Sequence, residues 1–554
     1  MTMYWSRKAL RSFSPFGLLL GTLFFAASLT PSLIPRETLI QGLLSGLSFS
    51  IGYGIGVLGK MIWEYLQLPQ PEWRWFRLAS IVAVVISAAI ALISLWKASG
   101  WQDSIRALMG MQPVDSVRPI QVALITIVVF VLLVLIARLF ALIFRVVASR
   151  LRRYVPPRVA GFIGGALTIV LFWTVVDGLL LRYALRVMDS SFERVDAMID
   201  ADIAPPSDPM KTGSAASLVD WEGIGRQGRD YVVSGPSQAA IAEIAGEPAK
   251  EPLRVYVGLN SADTAEARAK LALDELIRVG GFDRSVLVMV TPTGTGWVDP
   301  AAIDPVEFLH HGDIASIAIQ YSYLPSWLSL LVQPGYGSEA SRALFAEVYG
   351  YWTKLPKDHR PKLYLFGLSL GAMNSDLSHD LFDVIADPYQ GALWSGAPFT
   401  SRTWRDATDG RVPGSPAWLP RFRDGSVIRF TGQKNSLGLD GAPWGPMRIV
   451  FLQYASDAIT FFSTNYAFWT PEWMIGERGP DVSPDFRWIP IVTFLQLGID
   501  LITATTTPMG YGHVYAPEHY VDSWIAVTDP QGWTPEAVEK LKAHFIGMRK
   551  DPHS

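Results

Sequence analysis

Hydrophobic and polar positions follow two different rules along this chain. In the first third, apolar residues come in long runs almost free of charge, at 16–34 (FGLLLGTLFFAASLTPSLI), 38–59, 78–96, 119–144 and 159–181. Runs of about 18 residues or more match the length a helix needs to cross the hydrocarbon of a bilayer, so the pattern predicts five transmembrane helices. The last two runs are taken past Arg138 and Asp177, because long or terminal polar side chains can reach the interface; pairing of these two inside the bundle is the alternative. From residue 252 onward the runs shorten to strand length and alternate with amphipathic stretches.

Strands are expected at 254–259, 285–291, 314–322, 362–367, 391–395 and 448–456, with 427–430 as a further one, and helices at 262–278, 338–354 and 370–385. Such alternation predicts an α/β fold with a mostly parallel sheet and helices on both faces, its ligands held beyond the carboxyl ends of the strands. The expected organisation is therefore a transmembrane domain at 1–187, a polar Pro/Ser/Gly-bearing linker at 188–251, and an α/β domain at 252–554. Residues 488–505 (WIPIVTFLQLGIDLITAT) are apolar enough to raise a sixth crossing. Gln496 and Asp500 within them favour a buried or lid helix instead.

Composition agrees with a divided protein. Half of the 554 residues are hydrophobic and 18% are charged, and mean hydropathy is +0.24. A net charge of -3 gives no basic excess for nucleic acid. Without cysteine there is no disulfide, thiolate metal site or thiol nucleophile. Lys and Arg are concentrated in the N-terminal arm and in the second and fourth loops (Lys60, Arg74, Arg77; Arg145, Arg150, Arg152, Arg153, Arg158). By the positive-inside rule the N-terminus is cytoplasmic, and after five crossings the remainder is extracytoplasmic. The first run is read as a retained anchor, with a cleaved signal peptide as the alternative. Gly42-x-x-x-Gly46 and Gly52-x-x-x-Gly56 in the second run allow close helix approach. Packing within the chain is expected there, with a homo-oligomer through this face as the alternative.

The chemistry lies in the second half. KLYLFG, a predicted strand, runs into Gly367-Leu368-Ser369-Leu370-Gly371, and a helix follows. This strand-turn-helix context is what a nucleophilic serine on a strained elbow requires. Serine is a weak nucleophile until an imidazole, oriented by a carboxylate, removes its proton. In this arrangement both partners follow the serine in the chain. Asp457 ends a predicted strand and is preferred over Asp409, Asp424 and Asp440; His513, in the Gly-bearing loop 509–513, is preferred over His519, His379, His544 and His553. The oxyanion of acyl transfer needs two preorganised N–H donors: Leu370 is expected to supply one, and Gly294 or Thr295, in the loop leaving the strand 285–291, the other. Tyr321, Tyr323 and Trp327 form an aromatic loop suited to an acyl or glycan pocket.

Two patterns are weak. Gly223-x-Gly225-x-x-Gly228 fits a dinucleotide fingerprint but no apolar strand leads into it, and His310-His311 with Asp313 lacks metal-ligand spacing. Neither a cofactor nor a metal is expected.

The runs TPTGTGWVDP, GDIASIAIQYSYLPSWLS, LFGLSLGA, FLQYASDAI and GHVYAPEHYVDSW, with WEGIGRQGRDYVVSGPS before them, resemble the bacterial family of membrane-anchored α/β-hydrolases that carry an N-terminal multi-helix membrane domain. The resemblance implies Ser369, Asp457 and His513 as the triad. Ala458 departs from the proline that relatives often place after the acid. The expected function is a membrane-anchored serine hydrolase, esterase- or lipase-like, acting on a lipid, lipid-linked or cell-envelope ester at the outer face of a bacterial cytoplasmic membrane. An acyltransferase with the same site is one alternative; a non-catalytic membrane scaffold or transport component with a vestigial hydrolase domain is the other.

Overall fold

The computed structural model describes residues 14–69, 73–114, 118–175, 196, 198, 203–324, 328–329, 335–439 and 441–550. They form two compact units. The first takes residues 1–186 together with 462–474 and 480–503, and the second takes 187–461, 475–479 and 504–554.

The first unit is helical: α1 (Pro15–Ser28), α2 (Thr38–Tyr65), α3 (Trp73–Leu108), α4 (Pro119–Leu151) and α5 (Pro157–Trp173). Among the described residues three helices are long and apolar enough to cross a membrane, Thr38–Tyr65, Arg74–Leu108 and Pro119–Leu151, whereas Pro15–Ser28 and Pro157–Trp173 are shorter. The predicted run 16–34 is not helical to its end. Pro31 and Pro35 withhold backbone donors and push the residues before them out of the helical region, so α1 stops at Ser28. The predicted end of the fifth run, to 181, lies outside the described residues. Conversely α3 continues beyond Trp96 through the stretch read as a loop, because Ala98 and Ile105 on that extension are buried.

Glycine spacing explains how α2 packs. A Cβ on Gly42 or Gly46 would meet Ile125 or Val129 of α4, and one on Gly52 or Gly56 would meet the backbone of α1 at Leu20 or Gly17. All four glycines are therefore used within the chain. The segment 488–505 is not an eighteen-residue helix but an eleven-residue one, Val492–Ile502. Within the helical unit Asp500 accepts the Leu33 amide at 2.9 Å, and Gln496 donates to the Thr30 carbonyl at 3.0 Å. A buried polar loop, 29–36, thus meets the polar side of an apolar helix.

The second unit is built on seven strands, β1 (Leu253–Val257), β2 (Val286–Thr291), β3 (Ile314–Ile319), β4 (Lys362–Leu368), β5 (Gly391–Ser395), β6 (Ile428–Thr431) and β7 (Arg448–Leu452). Every pairing is parallel, in the order β1-β3-β2-β4-β5-β7-β6. β-branched and aromatic residues fill these strands, and both faces are buried, as parallel sheets require. Helices Ala265–Arg278 and Tyr336–Trp352 pack together, and Pro300–Leu309, Pro517–Thr528 and Pro535–Lys550 form a second group. From β2 the chain moves toward β1 and from β4 it moves the other way, so the crevice between their carboxyl ends is a topological switch point.

The stretch 203–251, read as linker, belongs to this unit. Helix Arg226–Val233 buries Tyr231 and Val232, and the Tyr231 hydroxyl meets Ser316 of β3 at 2.5 Å. The three fingerprint glycines serve packing: a Cβ on Gly228 would strike the Tyr256 ring, one on Gly225 would strike Asp196, and Gly223 sits on Ser261. Below the sheet Arg254 pairs with Glu307 and Asp304 at 2.7 and 2.6 Å, nearly closed to solvent.

Candidate active site

β4 ends at Leu368, and Ser369 follows with φ 59° and ψ -127°. A non-glycine residue reaches this region only under strain, and the surroundings hold it there. Glycine is required on either side: a Cβ at Gly367 would meet the Gly371 carbonyl, and one at Gly371 would meet the carbonyl oxygen of Thr291. The Ser369 amide donates to the Ser395 carbonyl at 2.9 Å, tying the elbow to the end of β5. Leu370 opens the helix Leu370–Asp376, so its amide has no intrahelical acceptor.

Asp457 lies beyond β7 and is fully buried. Its Oδ1 accepts the Ile459 amide at 2.9 Å, and its Oδ2 accepts the Thr460 hydroxyl at 3.3 Å. The same Oδ2 receives His513 Nδ1 at 2.7 Å and the Tyr515 hydroxyl at 2.7 Å. Because the carboxylate is the acceptor, Nδ1 carries the hydrogen and Nε2 presents its lone pair. Nε2 is buried and has no hydrogen-bond partner among the described residues. The backbone fixes the ring: His513 N donates to Ala504 O at 3.0 Å, and Gly512 N donates to Ser456 Oγ at 2.8 Å.

Ser369 and His513 are brought together by the residues after β5. Ser395 accepts from Ser369, and the next residue, Gly396 at φ +51°, has its α-carbon against the imidazole. The predicted acid and base are thus bonded to each other, and the predicted nucleophile is tied to the segment that packs on the base, at the carboxyl edge of the sheet beside the switch point.

The loop after β2 adjoins the elbow through Thr291 and Pro292, whose carbonyls face Gly371. Gly294 and Thr295 are the central residues of a turn closed by Gly296 N donating to Thr293 O at 2.9 Å, and Trp297 O takes the Thr293 amide at 3.0 Å. The turn is pinned from below, since Tyr256 donates to Gly296 O at 2.7 Å and Gln320 to Thr295 O at 3.2 Å. Tyr321 is buried near Asn374, five residues beyond the serine, and burial raises its hydroxyl above the usual range. Tyr323 donates to Asn260 at 2.6 Å. Both tyrosines line a cavity of about 780 Å³ with Arg268 and Glu339, and Ser369 is not among its walls. Trp327 lies outside the described residues.

No curated protein and no solved structure matches the chain, but two family models do. Residues 253–541 match one described as an alpha/beta-hydrolase family, and residues 29–236 match the N-terminus of that family. The chain belongs to the α/β-hydrolase family. The two matches together cover residues of both units, so the N-terminal region is a recognised part of this family.

Of the remaining described histidines of this α/β-hydrolase, His359 is exposed beside Asp358 and the others have structural partners. His519 Nδ1 pairs with the Tyr454 hydroxyl at 2.6 Å, and burial lowers its pKa to about 4. His379 stacks on Phe345, His310 bonds the Thr528 hydroxyl at 2.9 Å, and His311 stacks on Trp533. His544 packs on Phe308, while His553 lies outside the described residues. Two residues of the site were not foreseen. Tyr515 is two positions after the histidine, a spacing visible in the sequence but without a motif. Asp299 caps helix Pro300–Leu309 through the Ala301 amide at 2.9 Å and lies within the field of His513; burial pushes its carboxyl up to about 7.

Proposed function

We propose that this protein is a serine hydrolase of the α/β-hydrolase type, held in a bacterial cytoplasmic membrane with its catalytic unit on the extracytoplasmic side. The observation that carries the reading is the 2.7 Å bond from His513 Nδ1 to Asp457, which leaves Nε2 buried and without a partner among the described residues, on a ring packed against Gly396, the residue after the Ser395 carbonyl that holds the Ser369 amide. In this reading Ser369 attacks an ester carbonyl as Nε2 takes its proton, and Asp457 stabilises the imidazolium. The Leu370 amide and the turn at Gly294 and Thr295 face the oxyanion. His513 then returns the proton to the leaving alcohol, and water resolves the acyl-enzyme by the same steps. Tyr321, Tyr323 and Trp327 are assigned to the substrate side. The membrane-associated helices and the Lys/Arg distribution support a lipid, lipid-linked or envelope ester as substrate.

The test is active-site labelling of the full chain in detergent with a fluorophosphonate probe. Wild type should label stoichiometrically, and Ser369→Ala should not label at all. Folded wild-type protein that remains unlabelled would overturn the reading.

A further inference from the structure

Asp457 is withdrawn from solvent completely, and a carboxylate in that position survives as an anion only if its lone pairs are met by donors. Two donors, the Ile459 amide and the Thr460 hydroxyl, come from residues next to it in the chain. The other two join the Thr460 hydroxyl on Oδ2 from the loop that carries the base: His513 Nδ1 and, two residues later, the Tyr515 hydroxyl, each at 2.7 Å. Tyr515 is itself buried and held flat by Tyr454, whose ring stacks on it with centroids 4.4 Å apart at 25°. The Ala516 amide in turn donates to the Tyr454 hydroxyl at 3.0 Å. The tyrosine is thus as fixed as the histidine, and one short loop presents both to a single oxygen.

We propose that Tyr515 is a positioning residue for the triad, its hydroxyl sharing the charge of Asp457 with His513 and setting the plane in which Oδ2 faces Nδ1. This inference rests on the serine-hydrolase reading above. Three donors, the Thr460 hydroxyl among them, meet on this one carboxylate oxygen while the Ile459 amide holds the other, so the carboxylate cannot rotate without breaking one of the bonds. The phenol also takes up part of the negative charge that the imidazole would otherwise feel alone. Without it, the imidazole should hold its proton more tightly and lose alignment with the serine.

Other ionisable groups bear on the same place. Asp299 acts on His513 from the loop after β2, and Tyr520, from the helix Pro517–Thr528, approaches Asp299 at 3.4 Å. His519 stands behind Tyr454. None of these donates to Asp457, and Tyr515 does.

The experiment measures the second-order rate of fluorophosphonate labelling of Ser369 from about pH 5 to pH 9 in the detergent-solubilised full chain, where loss of the essential base defines the acid limb. Tyr515→Phe keeps the ring and its stack and removes only the hydroxyl. Its plateau rate should fall by roughly five- to twenty-fold, and its acid limb should move to higher pH. Tyr454→Phe likewise keeps the stack and removes a neighbouring hydroxyl, one that bonds Ala516 N and His519 instead of Asp457, and it should keep the wild-type acid limb, with thermal melts confirming that both variants fold. An unchanged profile in folded Tyr515→Phe, or an equal displacement in Tyr454→Phe, overturns the assignment while labelling of wild type leaves the serine-hydrolase reading standing. Wild type that does not label at any pH overturns both.

Discussion

Gly396 lies against the imidazole of His513 so closely that a Cβ built on it would fall 2.5 Å from Cε1 and 2.8 Å from Nδ1. A methyl group there must displace the ring and strain its bond to Asp457, because the Ala504 carbonyl fixes the backbone amide of the same residue. Gly396→Ala should therefore reduce probe labelling by about 100-fold or more, since small misplacements of a base are costly. The left-handed backbone at this residue adds only about 1–2 kcal/mol of destabilisation. Parallel melts and labelling rates check this; a variant that labels at the wild-type rate would refute the proposed closeness of Gly396 and His513.

Strain at the nucleophile makes an opposite prediction. Glycine adopts φ 59° and ψ -127° freely, so Ser369→Gly should abolish labelling and raise stability by about 1–2 kcal/mol. Ser369→Ala, which keeps the Cβ, should lose labelling without that gain. Thermal unfolding of the two variants side by side decides it.

Asp299 predicts how stability depends on pH. Its carboxyl is pushed from 3.8 up to about 7 by burial, so between these values the folded chain holds a proton that the unfolded chain has released. Stability contributed by this group is complete below about pH 4 and is lost as pH rises toward 7. Asp299→Asn retains a capping side chain and does not ionise. It should be more stable than wild type at about pH 8, with the difference vanishing toward pH 4. Melting curves that stay parallel across this range would contradict the prediction.

The Arg254 cluster tests the base of the sheet. Arg254 donates to Glu307 through Nε and an η nitrogen at 2.8 and 2.7 Å, and Glu307 is almost entirely buried. Arg254→Leu strands that carboxylate and should cost about 3–5 kcal/mol, as removal of one partner of a buried pair does. Adding Glu307→Gln should restore most of the loss. Denaturant unfolding of the single and double variants measures both.

Much of this was legible in the sequence for identifiable reasons. All seven strands were visible because a sheet buried on both faces demands uninterrupted β-branched and aromatic runs, as in VLVMVT and KLYLFGL. Ser369 was visible because an elbow needs Gly367 and Gly371, and that requirement leaves a pattern. Asp457 and His513 followed from order and from their place after a strand and in a Gly-bearing loop. Tyr515 left no such pattern, since one hydroxyl reaching a carboxylate imposes nothing on its neighbours. The order of the sheet, with β7 between β5 and β6, was equally silent, because pairing partners are chosen by tertiary packing. The polar residues of 188–251 suggested a linker, yet among the described ones Thr212 and Tyr231 are buried by bonding to β1 and β3, and Arg229 by bonding to the Asp196 and Met198 carbonyls. Local polarity could not reveal that each has an internal partner.

The chain passes between its two compact units five times, and the stretch separating Asp457 from His513 contributes residues 462–474 and 480–503 to the helical one. No single junction in the gene would separate the α/β unit from the helical one. Recombination that transplanted residues 252–554 alone would carry the apolar helix Val492–Ile502 away from Leu33 and Thr30, leaving Asp500 and Gln496 to find other partners. The loop 29–36 and the helix 492–502, hundreds of residues apart in the chain, thus share one set of buried polar bonds, and a substitution in either acts on the partners of the other.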